Sequence, residues 1–376
     1  MAISAAFTAS VWAVEPQSVD LADGVTFTPT LQVSESYDDN IRAVEDNAES
    51  SWVNGITPTF VLEAQGRQGT YALTYSADNQ SYASSHNDDH TDHHLDADAD
   101  FEFNSRNQLK LNAGYDKVEN LATDTQSTEP DKFTTSNVGG VYTYGAETAR
   151  AQIDLGANYQ ELRYQNTDRL NADKERDTTA LSTTGYYRIS PMTRVLLEAR
   201  HTDYDYLTNT DLNSNNVGLL GGVTWDATAK TTGTIKIGAE KKRFDNSRYD
   251  DVNGSMWEAG VSWSPRTYST FNLKTRRGFD EGDDGAEVIK SQSTTISWEH
   301  EWLDRLSSEV SYNYTDNQYQ GIDRDDKIDT FGLGLTYEMR RWLDVGIGYK
   351  YAEDDSSAVG ESYERNIYAV SFTASL

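Results

Sequence analysis

The chain has 376 residues, a formal net charge of -29 and a mean hydropathy of -0.71. With 23 Tyr, 11 Phe and 8 Trp it is too aromatic for a disordered chain, and with no Cys it has neither a disulfide framework nor a thiolate metal site. Its acidity argues against nucleic acid, which is bound through basic patches. No apolar run approaches the roughly 18 residues of a transmembrane helix, but a spanning barrel needs none, because its apolar and polar residues alternate.

Residues 1–13 of "MAISAAFTASVWAVEPQ" read as the end of a secretory signal without its basic start, with cleavage after Ala13. Residues 14–24 follow as a periplasmic N-terminal segment, and 25–376 as the barrel. From there apolar residues recur at every second position, the period of a strand with one oily face. Phe27, Leu31 and Val33 begin the series. Trp52, Ile56, Phe60 and Leu62 continue it, then Tyr71, Leu73 and Tyr75.

The fourth segment, "HLDADADFEFN" (His94 to Asn104), is the clearest. Leu95, Ala97, Ala99, Phe101 and Phe103 form one row, and Asp96, Asp98, Asp100 and Glu102 the other. Leu109 to Tyr115, Val138 to Tyr142, Ala151 to Tyr159, Leu181 to Tyr187, Val195 to Ala199 and Val217 to Trp225 come next. Ile235 to Ala239, Trp257 to Trp263, Phe271 with Leu273, Ile296 with Trp298 and Val310 to Tyr314 follow. Phe331 to Tyr337, Leu343 to Tyr349 and Tyr368 to Leu376 complete about eighteen. Pro29 and Pro58 sit inside the first two, where bulges or irregular pairing are predicted.

Tight links such as "GRQG", "NSRN" and "MRRW" alternate with longer polar connections such as "DDNIRAVEDNAES". Arg67, Arg106, Arg266, Arg305, Arg340 and Arg341 fall in the short links, whereas the long loops are acidic, as in "DEGDDGAE". This segregation predicts an all-β fold: a transmembrane antiparallel up-and-down β-barrel of about 18 strands in the outer membrane of a Gram-negative bacterium. Its turns would be short and periplasmic, its loops longer and extracellular. The terminal "YAVSFTASL" resembles the signal read by the barrel-assembly machinery, with Leu376 in place of an aromatic residue.

Parity assigns the polar row to a wide aqueous lumen. The inferred lumen residues are Asp96, Asp98, Asp100, Glu102, Arg150, Asp154, Arg194, Glu198, Arg200, Lys236, Glu240, Lys242, Glu258, Lys274, Arg276, Glu299, Glu309 and Glu338. Basic residues concentrate on the seventh, ninth, eleventh and thirteenth strands and acidic ones on the fourth; the reading is ordinary solvation of a polar lumen, with a transverse field across the pore as the alternative. Lumen aromatics look few, with Tyr186 the clearest, and no loop stands out as an inward constriction. "HNDDHTDHH" places His86, His90, His93 and His94 among aspartates as weak metal candidates without tetrahedral spacing. The reading is of a solvated loop, with no cofactor and no catalytic residue, since His201 and His300 point outward. Acidic loops could also bridge cations to lipopolysaccharide or outer-membrane lipid.

"TPTLQVSESYDDNIR", Thr28 to Arg42, resembles the opening strand of the putative beta-barrel porin 2 type of outer-membrane protein, with Tyr37, Asp38, Asp39, Asn40 and Ile41 forming its loop motif. The resemblance implies a passive channel for secretion of an exopolysaccharide or capsular polysaccharide, partnered by a periplasmic polysaccharide export protein. The alternative is a general or substrate-selective diffusion porin for small polar solutes, and the second alternative a structural, adhesive surface barrel.

Overall fold

The computed structural model describes residues 18–121, 129–228 and 230–375; the predicted signal segment at 1–13 and Leu376 fall outside them. A short β1 (Val19–Ala22) precedes the long strands: β2 (Val25–Asp38), β3 (Ser51–Gln65), β4 (Gly69–Tyr82), β5 (His90–Asn104), β6 (Asn107–Asn120), β7 (Asp131–Tyr144), β8 (Ala151–Tyr164), β9 (Arg176–Ser190), β10 (Thr193–Tyr206), β11 (Ser214–Thr228), β12 (Thr231–Phe244), β13 (Val252–Arg266), β14 (Ser269–Glu281), β15 (Val288–Leu303), β16 (Leu306–Gln320), β17 (Arg324–Arg340), β18 (Leu343–Ser356) and β19 (Tyr363–Ser375). From β2 onward each pairs antiparallel with the next, and β19 returns to β2, so the sheet closes as an 18-stranded barrel. Closure leaves no edge, which lipid demands, because an unpaired backbone group there costs several kcal/mol.

The alternating apolar rows cover the outside, and their side chains are exposed: Leu95, Leu111, Leu155, Leu197, Ile237, Leu333 and Ile347 among them. Rings stack in belts at both rims of this band. Phe27, Phe60 and Tyr75 form one run, and Trp263, Phe271, Trp298 and Trp302 another, near the short turns. Tyr37 with Trp52, and Tyr349 with Tyr368, lie near the loops. Such rings suit a water–lipid boundary, with an apolar body and a polar tip.

Several strands run past the apolar band. On β10 the row Val195–Leu197–Ala199 gives way on the same face to His201 and Asp203, paired at 2.9 Å. The alternation fades there because both faces meet water. The two prolines cause pairing gaps rather than register shifts. Pro58 sits where the β3–β4 ladder jumps from Ile56↔Asn79 to Thr59↔Ser76 in unchanged register. Pro29 lies beyond the last β19 partner, Thr30, and before the stretch that β1 covers. Pro lacks a ladder donor, so each is unpaired on one side while staying in register with the other neighbour, Pro29 opposite Phe60 and Pro58 opposite Leu31.

β1 falls within the predicted 14–24 segment as a strand the sequence reading missed. It turns back onto β2 through Gly24, whose φ of 73° is open to glycine and whose added Cβ would lie 2.9 Å from the Gln65 carbonyl oxygen. The Tyr37–Ile41 motif secures the seam. The Arg365 guanidinium grips Asp38, with Nε 2.9 Å from Oδ2, and Asn366 donates to Asp39 from its backbone at 2.7 Å and its side chain at 2.8 Å. Asn40 donates to the Glu364 carbonyl at 2.9 Å, and Ile41 packs with Val53 and Tyr82.

Candidate functional site: the lumen wall

The polar face of β5 builds one wall. Asp96, Asp98, Asp100 and Glu102 share the lumen face and are exposed to its water. Among the described residues the ion pair this row makes is a long one, Lys110 on β6 standing 3.8 Å from Asp100. Next to them a recess of about 470 Å³ near the short turns is lined by Asp98, Asp100 and Glu63 with Thr26 and Thr70.

A second wall is built from β10, β12 and β13. Arg200 donates to both Glu198 and Glu258, its Nη2 lying 2.9 Å from Glu258 Oε2. Lys236 joins the same two carboxylates at 3.0 Å and 2.5 Å. The concave inner surface lets Arg200 reach past β11 and β12. Leu196, Leu220 and Met256 are buried beneath these charges. Gly238 lies between Leu220 and Met256 in register, and a Cβ there would meet the Leu219 carbonyl oxygen at 2.0 Å. The four charges therefore neutralise one another instead of setting up a field.

Most of the remaining predicted residues lie on the same inner face, but apart. Arg194 donates to Gln152 at 2.7 Å and covers the Tyr186 ring, while Asp154 accepts from Thr143 at 2.8 Å. Glu240 accepts from Asn216 and from the Phe279 backbone, both at 2.9 Å. Lys242 pairs with Glu281, and Arg276 with Asp280 at 2.6 Å. Lys274 is exposed between Gly260 and Thr295. Glu299 faces Glu309 across β15–β16, and Glu338 faces Asp344 across β17–β18.

Arg150 departs from its assignment. It precedes β8 in the 145–150 link, where strand parity does not hold, and its guanidinium lies 5.2 Å from the centre of the Tyr187 ring, on the outer face.

The mouth differs more from expectation. Residues 165–175, between β8 and β9, are anchored at their base: Thr167 donates to Glu129 at 2.9 Å and Asn171 to Asp131 at 2.5 Å. Those Thr167 bonds hold the Glu129 carboxyl below its usual range. The segment then reaches the β14–β15 loop, where Lys174 meets Asp283 at 2.7 Å. Burial pushes the Asp283 carboxyl up, but the Lys174 charge outweighs it and leaves it below its ordinary value. An arc of the mouth is thus drawn inward by a connection of ordinary length. Loop length is also an imperfect guide to side, since the outer 321–323 connection is shorter than the inner 145–150 link.

Lumen aromatics are more numerous than parity within the apolar rows suggested. Beyond Tyr186, the inner face carries Tyr82, Tyr204, Tyr206 and Tyr319 near the loops. The four candidate histidines have separate partners: His86 Asp89, His90 the Asp88 carbonyl, His93 the Tyr75 hydroxyl and His94 Asp116. Among the described residues no three His, Asp or Glu side chains gather as a metal site.

Comparison with known proteins places this geometry. OccK2 (OpdF) of Pseudomonas aeruginosa superposes with a TM-score of 0.51 at 12% identity, covering 94% of this chain and 98% of its own. The FrpB iron transporter of Neisseria meningitidis (F3-3 variant) gives 0.50 at 11% identity over 88% of this chain, which spans 62% of the transporter's length. At such identity the likeness is one of fold, that of porin-like outer-membrane barrels. No curated protein matches the chain. The family described as Putative beta-barrel porin 2 matches residues 24–376, and the chain belongs to it as a porin-like barrel of the Gram-negative outer membrane.

Proposed function

We propose that the barrel is a diffusion channel for small polar solutes, with a preference for cations. The observation that carries this reading is the asymmetry of the lumen. The aspartates of β5 face water with few cations near them, while the cations of β10 and β12 are held by Glu198 and Glu258. Such a surface attracts hydrated cations along one side and offers anions little in return. The bridge from Lys174 to Asp283 supports passage of small solutes over a bulky polymer.

The polysaccharide export implied by the family resemblance needs a bore that a polymer can thread, and is the less supported reading. Swelling of liposomes carrying the refolded barrel tests the choice. Entry of monosaccharides and amino acids with exclusion of dextrans is the expected result. Dextran entry, together with loss of surface polysaccharide from a deletion strain of the host, would overturn it in favour of export.

A further inference from the structure

A cavity of about 380 Å³ opens in the loop-side half of the lumen, between β4–β6 and β14–β19. Its lining cations are all engaged. Arg276 holds Asp280, Arg365 holds Asp38, and Arg324 holds Asp326 at 2.8 Å with Asp284 and Glu361 at 3.3 Å. One lining carboxylate is left over. Asp354 is 8% exposed and its Oδ1 has no hydrogen-bond partner. Its register neighbours are Ile328 on β17 and Tyr363 on β19, and both line the same cavity. Tyr319, whose ring already carries the Arg324 guanidinium at 4.6 Å, lies nearby in the lining.

A buried carboxylate without a donor is costly; it is relieved by taking up a proton or by a donor-bearing cation from outside, and only the cation uses the cavity beside it. The rest of the lining suits the body of such a ligand: aromatic faces attract organic cations, and Ile289 and Ile328 supply apolar contact. We propose that this cavity is a capture site for an organic cation. An ammonium or guanidinium group would sit on Asp354, and its carbon chain against Tyr363 and Ile328. The site rests on the diffusion reading and refines it, by placing a selective stop near the mouth.

Agmatine is the probe. It is titrated calorimetrically against the full-length barrel in detergent, and added on the loop side in single-channel recordings. Saturable binding and resolved current interruptions are expected with the native chain. Asp354→Asn should weaken binding at least tenfold, and Tyr363→Leu about threefold. Asp355→Asn removes the same charge from the opposite face of β18 and should change nothing. Equal agmatine affinity in the native chain and Asp354→Asn would overturn the site, as would tighter binding of neutral glucose than of agmatine. Should Asp354→Asn fail to fold, unchanged affinity in Tyr363→Leu overturns it instead. A barrel that conducts but ignores agmatine keeps the diffusion reading and loses the site. One that binds agmatine through Asp354 but does not conduct loses the diffusion reading alone.

Discussion

On β5, Asp96, Asp98, Asp100 and Glu102 stand in water with Lys110 at 3.8 Å from one of them, whereas on β10, β12 and β13 two carboxylates and two cations close on each other over a buried apolar floor. Both walls have alternating charge in sequence. The first keeps its charge available to solutes, and the second spends it internally. Successive acids on β5 lie about 7 Å apart, where repulsion in water is only about 0.6 kcal/mol per pair, so an unpaired row is tolerable. On the second wall the charges are shielded from water on one side, and a missing partner is felt.

Stability should therefore respond unequally to truncation on the two walls. Glu198→Ala removes a nearly buried carboxylate that serves both Arg200 and Lys236. Fully buried pairs cost about 3–5 kcal/mol to break. Because Glu258 still bridges both cations and the lumen is wet, about 1–3 kcal/mol is expected from urea unfolding of the refolded barrel. Asp98→Ala should stay within about 0.5 kcal/mol of the native chain. Equal losses at the two sites would break the distinction.

Selectivity should respond in the reverse order. Replacing Asp96, Asp98 and Asp100 together by Asn should lower the cation-to-anion permeability ratio several-fold, read as reversal potential under a salt gradient. Glu198→Gln should move it little. Salt sharpens this further. The Debye length falls from about 10 Å at 0.1 M to about 3 Å at 1 M, so the preference conferred by β5 should fade across that range.

How much of this was legible in the sequence follows the same line. The outer face was, because lipid imposes one chemistry on every second residue and Leu95, Leu333 and Ile347 obey it. So was the strand count, because turn-rich links punctuate the rows. Which cation meets which acid was not: Arg200 and Glu258 lie 58 residues apart and meet only because the sheet curves. Tyr204 and Tyr206 escaped notice because β10 outlasts the bilayer, where the outer row turns polar and the period disappears. The Tyr37–Ile41 motif carried the family resemblance, but only closure of β2 against β19 gives Asp38, Asp39 and Asn40 a task.

The smallest expected effect lies at the mouth, where charge is again spent internally, this time to hold 165–175 inward. For Asp283, burial raises the carboxyl, but Lys174 and the Asp284 backbone N–H outweigh it, so its folded value lies below the ordinary 3.8. For Lys174, burial lowers the ammonium and the attraction of Asp283 outweighs that, so its value lies above 10.5. A depressed carboxylate contributes fully above its ordinary value and loses that contribution as pH falls through the lowered one. A raised ammonium contributes fully below its ordinary value and loses it as pH rises through the raised one. The tether should thus hold across neutral pH and slacken in strong acid. Hydrogen exchange of 165–175 should be unchanged from pH 5 to 8 once corrected for the intrinsic rate, and quicken about twofold below pH 3. Lys174→Met should show the quicker exchange at every pH. Acid quickening of the same size in Lys174→Met would mean that another group holds the loop.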